Sequence, residues 1–507
     1  MHFELSQTKG NPKVGDSNGS ATQPVRMMPN GDGCTGKLRP LLLTCQPLTK
    51  RMLLHSNWLT KLASESEATV WATGLDDAQK QRAWGDVRCN VEQFPEVRPF
   101  REFPFNYLRR FNEFIWDYRL LPPSRLSMLE HVRLKRYTTS IKMLQRPARL
   151  AASLRLERPF EASLENLLLG YGRSSEASRR LKDIRPDVVI TTDPFCYLEP
   201  AVIAEAKNLG IKTLAVITSW DNLSTKNRMV FRYDGYIVWS EQMRKHLHHF
   251  YPYTANVPCY VVGAPQFDVF FEEQFWQSRE EFCRLQGLNA NRPIVLYALG
   301  SPNFLKELPG AVEFERRLSE GGLKDVQLLV RPHPMFFNGT EQDHFSDFGN
   351  NVVVQNTGDG LPLTHQAQDK NEIKDWINTF RYADVVINLS STVAIDAAIF
   401  DRPVVNLDFD PEPGQPNQAL VKDINHLWTH FKPIAESGGM WLVNNYEEML
   451  EAVRTYLENP ELHREQRRWM AEFVCGKLDG KSGERIAEAI IDFTKNHAQS
   501  RKKVRSI

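Results

Sequence analysis

Between Ala383 and Asp410 the chain reads ADVVINLSSTVAIDAAIFDRPVVNLDFD: an apolar run, a Ser-Ser-Thr turn, an apolar helix and a second apolar run. Val385, Val386 and Ile387 are apolar without alternation, which is the pattern of a parallel strand covered on both faces. Val393 to Phe400 spreads apolar residues around a short helix, and Asp401-Arg402-Pro403 stops it before Val404 to Leu407 resumes as a strand. Two doubly covered strands joined by a helix restrict the chain to the α/β class with a parallel sheet. Ser390, Ser391 and Thr392 fall where strand gives way to helix. Their hydroxyls and free backbone N–H groups are therefore expected to converge on one anion-binding point.

Upstream, Val326 to Pro334 is another apolar strand running into a loop with Arg331 and His333, where Pro332 and Pro334 fix the backbone around the imidazole. Ligands of an open parallel sheet bind beyond the carboxyl ends of its strands, so His333 and Ser390 to Thr392 should share one edge. A cationic or donor imidazole beside a helix start suits a phosphate or pyrophosphate. The same alternation runs from Pro186 onward: strands at Asp187 to Thr192, Lys212 to Thr218, Tyr233 to Ser240 and Val257 to Val262 lead into loops holding Asp193, Ser219 to Asn227 and Gly263 to Asp268. Nearer the start, Arg39 to Cys45 reads as a strand, Thr49 to Ser66 as a helix and Ala68 to Thr73 as a strand. No Gly-x-Gly-x-x-Gly lies between them, so the dehydrogenase fingerprint is missing.

At 507 residues the chain exceeds what one core usually holds. The expected organisation is a disordered leader over 1–37, an N-terminal Rossmann-like domain over 38–268, a C-terminal Rossmann-like domain over 285–475, and a C-terminal helix with a basic tail over 476–507. The first domain carries a helical insertion over about 83–180. Phe94 to Phe160 is aromatic and basic, with Arg109, Arg110, Arg119, Arg125, Arg133, Lys135, Arg136, Lys142, Arg146, Arg149, Arg155 and Arg158. It suits an anionic membrane surface or an acidic acceptor, and equally a helical insertion with a charged outer side. Overall charge is balanced, 63 Lys and Arg against 62 Asp and Glu, so no nucleic-acid partner is expected. The seven cysteines are scattered without Cys-x-x-Cys, which argues for a reducing compartment and against a structural zinc. No window has the roughly 20 apolar residues of a membrane span. A cytoplasmic protein, peripheral at the inner face of the cell membrane or soluble, is expected.

These motifs line up in order with a known pattern. The chain resembles the CDP-glycerol glycerophosphotransferase family and the neighbouring capsule and surface polysaccharide glycosyltransferases of GT-B architecture. The family's Trp-His-Gly-Thr-Pro-x-Lys is similar to Trp220 to Lys226, which keeps the Trp and the Lys at the same spacing. Its Gly-x-Pro-x-x-Asp looks like Gly263, Pro265 and Asp268, and its Leu-Tyr-Ala strand like Leu296, Tyr297 and Ala298. The His-Pro loop matches His333 and Pro334, and the Ser-Ser element with a following Asp and Arg-Pro looks like Ser390, Ser391, Asp396, Arg402 and Pro403. Asp221 stands where the family has His, and Asn222, Leu223 and Ser224 where it has Gly-Thr-Pro. The reaction class therefore carries over further than the transferred group.

The resemblance implies two doubly wound domains facing across a cleft. A nucleotide-activated donor, with no separate cofactor, would bind the second domain, and a glycan or polyol-phosphate acceptor hydroxyl the first. The product class is cell-surface polysaccharide or a teichoic-acid-like polymer. His333 and Ser390 to Thr392 would stabilise charge on the leaving phosphate with Arg331 as an extra cation, and Lys226 would meet a phosphate. Asp221 is the expected general base, provided burial beside Trp220 raises its pKa from about 3.9; Asp193 is the reserve. Asp408-Phe409-Asp410 spells Asp-x-Asp, but a doubly wound sheet is the wrong context, and no metal is expected. A non-catalytic nucleotide-sugar-binding subunit of an envelope complex and a nucleotide-sugar 2-epimerase are the alternatives. The latter calls for a Gly-Gly where Ser390-Ser391 stands.

Overall fold

The computed structural model describes residues 37–75, 84, 88–171, 174–321, 323–333, 336, 345, 347–349, 351–356 and 369–505. The leader, apart from Lys37, lies outside the described residues, as do Pro334, most of the loop from Gly358 to Asp369, and the side chains of the basic tail.

Among the described residues, thirteen strands form two sheets. The first holds β1 (Pro40–Thr44), β2 (Thr69–Ala72), β3 (Asn90–Gln93), β4 (Val188–Thr191), β5 (Lys212–Val216), β6 (Gly235–Val238) and β7 (Cys259–Val261), in the order β3-β2-β1-β4-β5-β6-β7. The second holds β8 (Ile294–Ala298), β9 (Gln327–Arg331), β10 (Val352–Val354), β11 (Val385–Asn388), β12 (Val404–Leu407) and β13 (Trp441–Val443), in the order β10-β9-β8-β11-β12-β13. Every pairing is parallel. The continuous apolar runs follow from this: Leu42, Val70, Val188, Ile190 and Leu214 enter the core on one face of the first sheet, while Leu41, Leu43, Val189 and Ala215 enter the other. This is the α/β, two-sheet doubly wound architecture that the alternation implied.

The sequence pattern missed three features. The helix expected over Thr49 to Ser66 is two, Pro47–His55 and Trp58–Glu65. Ser56 leaves helical geometry, returns its hydroxyl to the Met52 carbonyl and lets Trp58 turn into the core. The edge strands β3 and β10 are too short and too polar or too exposed to carry a periodic signal. The basic insertion is not one charged outer face. Arg109 and Arg125 are 5% and 3% exposed, and Arg125 pairs with Asp117 at 2.6 Å. Arg110 meets Glu113 at 2.6 Å, Asn227 Oδ1 at 2.8 Å and the Tyr197 hydroxyl at 2.9 Å. Arg109 and Arg110 fasten the helix Phe105–Leu120 to the loops that follow β4 and β5, and Arg125 ties the next helix, Pro123–Met128, to it. Arg133 donates to the Thr225 carbonyl, and Arg136 crosses to the Asn303 carbonyl of the second sheet at 2.7 Å. No helix is long and apolar enough to cross a membrane among the described residues.

The two sheets are tied by the chain's return. After the second sheet, the helix Ser482–Arg505 packs Ile486, Ile490 and Phe493 against the first sheet's outer face, each burial contributing about 1.5–3 kcal/mol. Asp268 receives that helix, its carboxylate accepting the amides of Ser482 at 3.0 Å and Gly483 at 2.7 Å. Gly263 approaches so closely, at φ +93°, that a Cβ there would lie 2.5 Å from Ser482 Oγ. The Gly-x-Pro-x-x-Asp element thus clasps the returning helix. Burial pushes the Asp268 pKa up to about 6 despite those two amide bonds. Replacing Asp268 with Ala should cost about 2–4 kcal/mol in urea unfolding, because it orphans two helix N-terminal amides and removes a charged acceptor. Asp268→Asn, which keeps one carbonyl acceptor, should cost less. A loss below about 0.5 kcal/mol for the alanine variant would show that the clasp does not hold the helix.

Candidate active site

Because both sheets are fully parallel, their strand-end loops gather on one edge of each sheet, and two of these loops meet. Trp220, buried at the end of β5, points its indole Nε1 at Thr392 Oγ1, 3.4 Å away. The same indole packs edge-on to His430, ring centroids 4.8 Å apart. The first-sheet loop Ser219 to Asn227 and the second-sheet Ser-Ser-Thr turn are therefore one locus.

Asp221 begins a one-turn helix, Asn222–Thr225. Its carboxylate accepts the Ser219 hydroxyl and, at 3.0 Å, the Thr225 hydroxyl. Burial pushes its pKa up, but His430, the Ser219 bond and Lys226 outweigh this and leave it below the ordinary carboxylate value. Burial beside Trp220 was expected to raise that pKa. The correction has a physical cause: a carboxylate with two hydroxyl donors and the Lys226 ammonium nearby is stabilised as the anion.

The imidazole at this locus comes from the other sheet. Ser224 Oγ donates to the Asp221 carbonyl at 3.1 Å and meets His430 Nδ1 at 2.9 Å. Ser224 Oγ is thus within hydrogen-bond reach of both the Asp221 carbonyl and His430 Nδ1, the direction of the second bond following the imidazole tautomer. Burial holds His430 near pKa 4, against the opposing pull of Asp221. His430 was not singled out in the sequence, and nothing in its local context, Leu427-Trp428-Thr429-His430-Phe431, marks it.

Asp193 is buried, accepts the Phe195 amide at 3.2 Å and lies 3.9 Å from Lys226 Nζ. Beside it the buried Glu199 takes the amides of Thr192 and Asp193 and the Thr191 hydroxyl, and burial lifts its pKa to about 7. Both carboxylates shape the loop after β4.

At the second-sheet edge the turn is more occupied than its sequence implies. Ser390, at φ +49°, donates its amide to Asn406 Oδ1 at 2.8 Å and its hydroxyl to Asn425 Oδ1 at 2.8 Å. Ser391 donates its amide to Asn388 Oδ1 at 3.0 Å. The expected free N–H groups at Ser390 and Ser391 are thus spent on the buried Asn406 and Asn388, and the Ser390 hydroxyl on the buried Asn425; together they hold in place a left-handed residue costing about 1 kcal/mol. Thr392 remains as the hydroxyl facing Trp220.

Of the cationic or donor imidazole expected at His333, the structure has the neutral form. Burial, and then Arg331, lower its pKa to about 4, so the ring is neutral at pH 7 rather than cationic. Positive charge comes instead from arginines. Arg331 donates to Gln355 Oε1 at 2.5 Å, and burial lowers its pKa against the pull of Glu372, Asp375 and Asp396. Arg51, from the first-sheet helix Pro47–His55, lies over the Trp376 ring at 4.3 Å; burial lowers its pKa to about 10 although Asp396 opposes this. Asp396 interacts electrostatically with both arginines, and burial raises it to about 7 against them and a Trp376 hydrogen bond. Arg51 and Arg331 are thus the cations of this edge, faced by Asp396, Glu372 and Asp375, and their planar guanidiniums suit a phosphate. Arg51 went unnoticed because only the fold brings it to the second sheet.

The Asp-x-Asp carboxylates are committed to protein partners. Asp408 meets Lys422 and His426 at 2.8 Å each and Asn425 at 3.0 Å, while Asp410 accepts the amides of Glu412 and Asn417. Among the described residues, no group of three or more His, Cys, Asp or Glu is arranged to hold a metal ion.

A model of the CDP-Glycerol:Poly(glycerophosphate) glycerophosphotransferase family matches residues 202–492, spanning both loops of this locus. The chain belongs to this family. It is a transferase that moves a group from a nucleotide-activated donor to an acceptor hydroxyl in cell-surface polysaccharide or teichoic-acid-like polymer synthesis. No curated protein sequence matches it. Similar solved structures include Staphylococcus aureus MnaA in a co-structure with UDP, at TM-score 0.52 and 11% identity over 90% of this chain and 97% of that one. The UDP-GlcNAc 2-epimerase from Neisseria meningitidis bound to UDP-GlcNAc scores 0.51 at 10% identity, over 90% and 100%. The wall teichoic acid polymerase TagF scores 0.46 at 10%, over 90% and 89%. At such identities the likeness to MnaA and to the Neisseria meningitidis epimerase shows the fold alone.

His430 supplies a check on this glycerophosphotransferase-family site. Its pKa falls from an ordinary 6.5 to about 4 on folding, so the unfolded chain binds the proton more tightly, and the stabilisation present above pH 6.5 is lost as pH falls towards 4. Wild-type stability relative to His430→Gln should therefore decline by on the order of 1 kcal/mol per pH unit across that window. A difference that stays flat from pH 7 to pH 4.5 would show that His430 is not buried as a neutral ring.

Proposed function

We propose that the donor's phosphates lie at the second-sheet edge among Arg51, Arg331, His333 and Thr392. The acceptor hydroxyl then loses its proton at the Asp221–His430 pair. The observation that carries this reading is the position of His430. The family pattern has an imidazole where this chain has Asp221, and here an imidazole from the second sheet sits against Trp220 and Ser224, in the electrostatic reach of Asp221. The proton passes from the acceptor hydroxyl to His430 Nε2, the acceptor oxygen bonds to the transferred group, and the bond from that group to the leaving phosphate breaks. A neutral imidazole accepts that proton at pH 7, and Asp221, held ionised, stabilises the imidazolium that results. Arg51 and Arg331 offset charge on the leaving phosphate, and the neutral His333 acts as a hydrogen-bond donor. Ser390 and Ser391 support the turn, Asp396 tunes the two arginines, Lys226 orients Asp193 or a phosphate of the acceptor, and the acceptor is a glycan or a polyol phosphate.

The test begins with nucleotides. CMP, CDP, UDP, GDP and ADP should be screened for thermal stabilisation; one of them at 100 times its Kd should add about 2.7 kcal/mol, and Arg331→Ala should abolish the effect. With a matching diphosphate-linked donor, release of the nucleoside monophosphate identifies transfer at phosphorus, and release of the diphosphate identifies glycosyl transfer. Stabilisation without turnover in the presence of acceptor would instead support the non-catalytic subunit. His430→Ala should lower kcat by about 10² to 10⁴ with donor Kd little changed. A folded His430→Ala enzyme with kcat within threefold of wild type would remove His430 from the chemistry.

A further inference from the structure

The outward part of the basic insertion carries a surface that the transfer site does not use. The helices Thr139–Met143 and Gln145–Ser153 run almost end to end. The second seats Ala148, Ala151 and Ala152 against the insertion's core, at 0%, 9% and 6% exposure. On the opposite side Met143, Leu150 and Leu154 are 71%, 61% and 60% exposed. With the exposed Pro147 they recur at positions 143, 147, 150 and 154, the spacing of a single apolar stripe along a helix. Lys142, Arg146 and Arg149 are exposed beside the stripe, and Arg155 and Arg158 follow it. From His131 to Leu156 the sequence contains no Asp or Glu.

An exposed apolar stripe flanked by cations, with no carboxylate to neutralise them, fits a surface that is itself anionic at its face and apolar beneath. We propose that this face docks on an anionic lipid bilayer, the stripe entering the acyl boundary and the flanking cations meeting lipid phosphates. A second copy of the chain is a poor occupant, because a two-fold contact would set the same uncompensated cations against each other. Arg133 and Arg136 of the same insertion touch the Thr225 loop and Asn303, so a docked insertion would hold the transfer cleft close to the membrane.

The test is co-sedimentation of the full chain with vesicles of phosphatidylcholine alone and of phosphatidylcholine mixed equally with phosphatidylglycerol. It uses no nucleotide, so its outcome is separate from that of the catalytic reading. Binding is expected only to the anionic vesicles and should weaken with salt. Each basic residue near the surface is worth about fivefold in partitioning, so Lys142→Gln/Arg146→Gln/Arg149→Gln should reduce binding by roughly a hundredfold. Leu150→Glu/Leu154→Glu should reduce it by more than tenfold while the thermal unfolding midpoint stays near that of the wild type. Should either variant fold poorly, the salt dependence and the lipid preference of the wild type decide alone. Absence of wild-type binding, equal binding to neutral vesicles, or binding unchanged in both variants would overturn the proposal. So would a dimer that Leu150→Glu/Leu154→Glu abolishes in a chain with no affinity for vesicles, which would assign the face to a second copy.

Discussion

The helix Ser482–Arg505 must travel back from the second sheet to the first, and Asp268 is the group that receives it. The aspartate offers a buried carboxylate to two helix N-terminal amides, where unpaired donors and the helix dipole favour negative charge. Once the helix is seated, its apolar side completes the outer core of the first sheet, and both ends of the second sheet are tied to the first. The meeting of Trp220 with Thr392 and His430 belongs to a continuous core shared by the two sheets, to which that tie adds.

The site that results divides its electrostatic work. The imidazoles of His333 and His430 are kept neutral by burial, while Arg51 and Arg331 remain the cations. Asp221 is held as an anion by its hydroxyl donors and by Lys226. Such an arrangement lets one edge attract phosphate and the other accept a proton without the two functions competing for the same residues. The three buried asparagines Asn388, Asn406 and Asn425 serve neither function directly. They fix the Ser390 backbone in a left-handed conformation that places Thr392 opposite Trp220.

The strands and their common edge were legible in the sequence because doubly covered parallel strands leave continuous apolar runs, and the loops that follow them carry Trp220, Asp221, His333 and Ser390 in plain view. Local pattern could not show the short edge strands β3 and β10, or the break at Ser56, where one hydroxyl bond outweighs an otherwise helical period. Nor could it show which ionisable groups end up buried. Arg109 and Arg125 look like solvated helix arginines in sequence and are internal in the fold, and the Asp221 pKa reverses direction because its donors arrive from nearby turns and from the other sheet. Arg51 and His430 are brought to the site solely by long-range packing, so no reading of neighbours in sequence reaches them. The outward stripe at Met143, Leu150 and Leu154 becomes distinguishable from the inward alanines once burial is known.

The central claim is that a first-sheet carboxylate and a second-sheet imidazole act as one unit. A double-mutant cycle on kcat/KM with Asp221→Asn and His430→Gln tests it most directly. If the pair acts together, the double variant should be hardly slower than the worse single variant, with a coupling energy above about 1 kcal/mol. Effects that add to within about 0.3 kcal/mol would contradict the account and separate the two residues into independent roles.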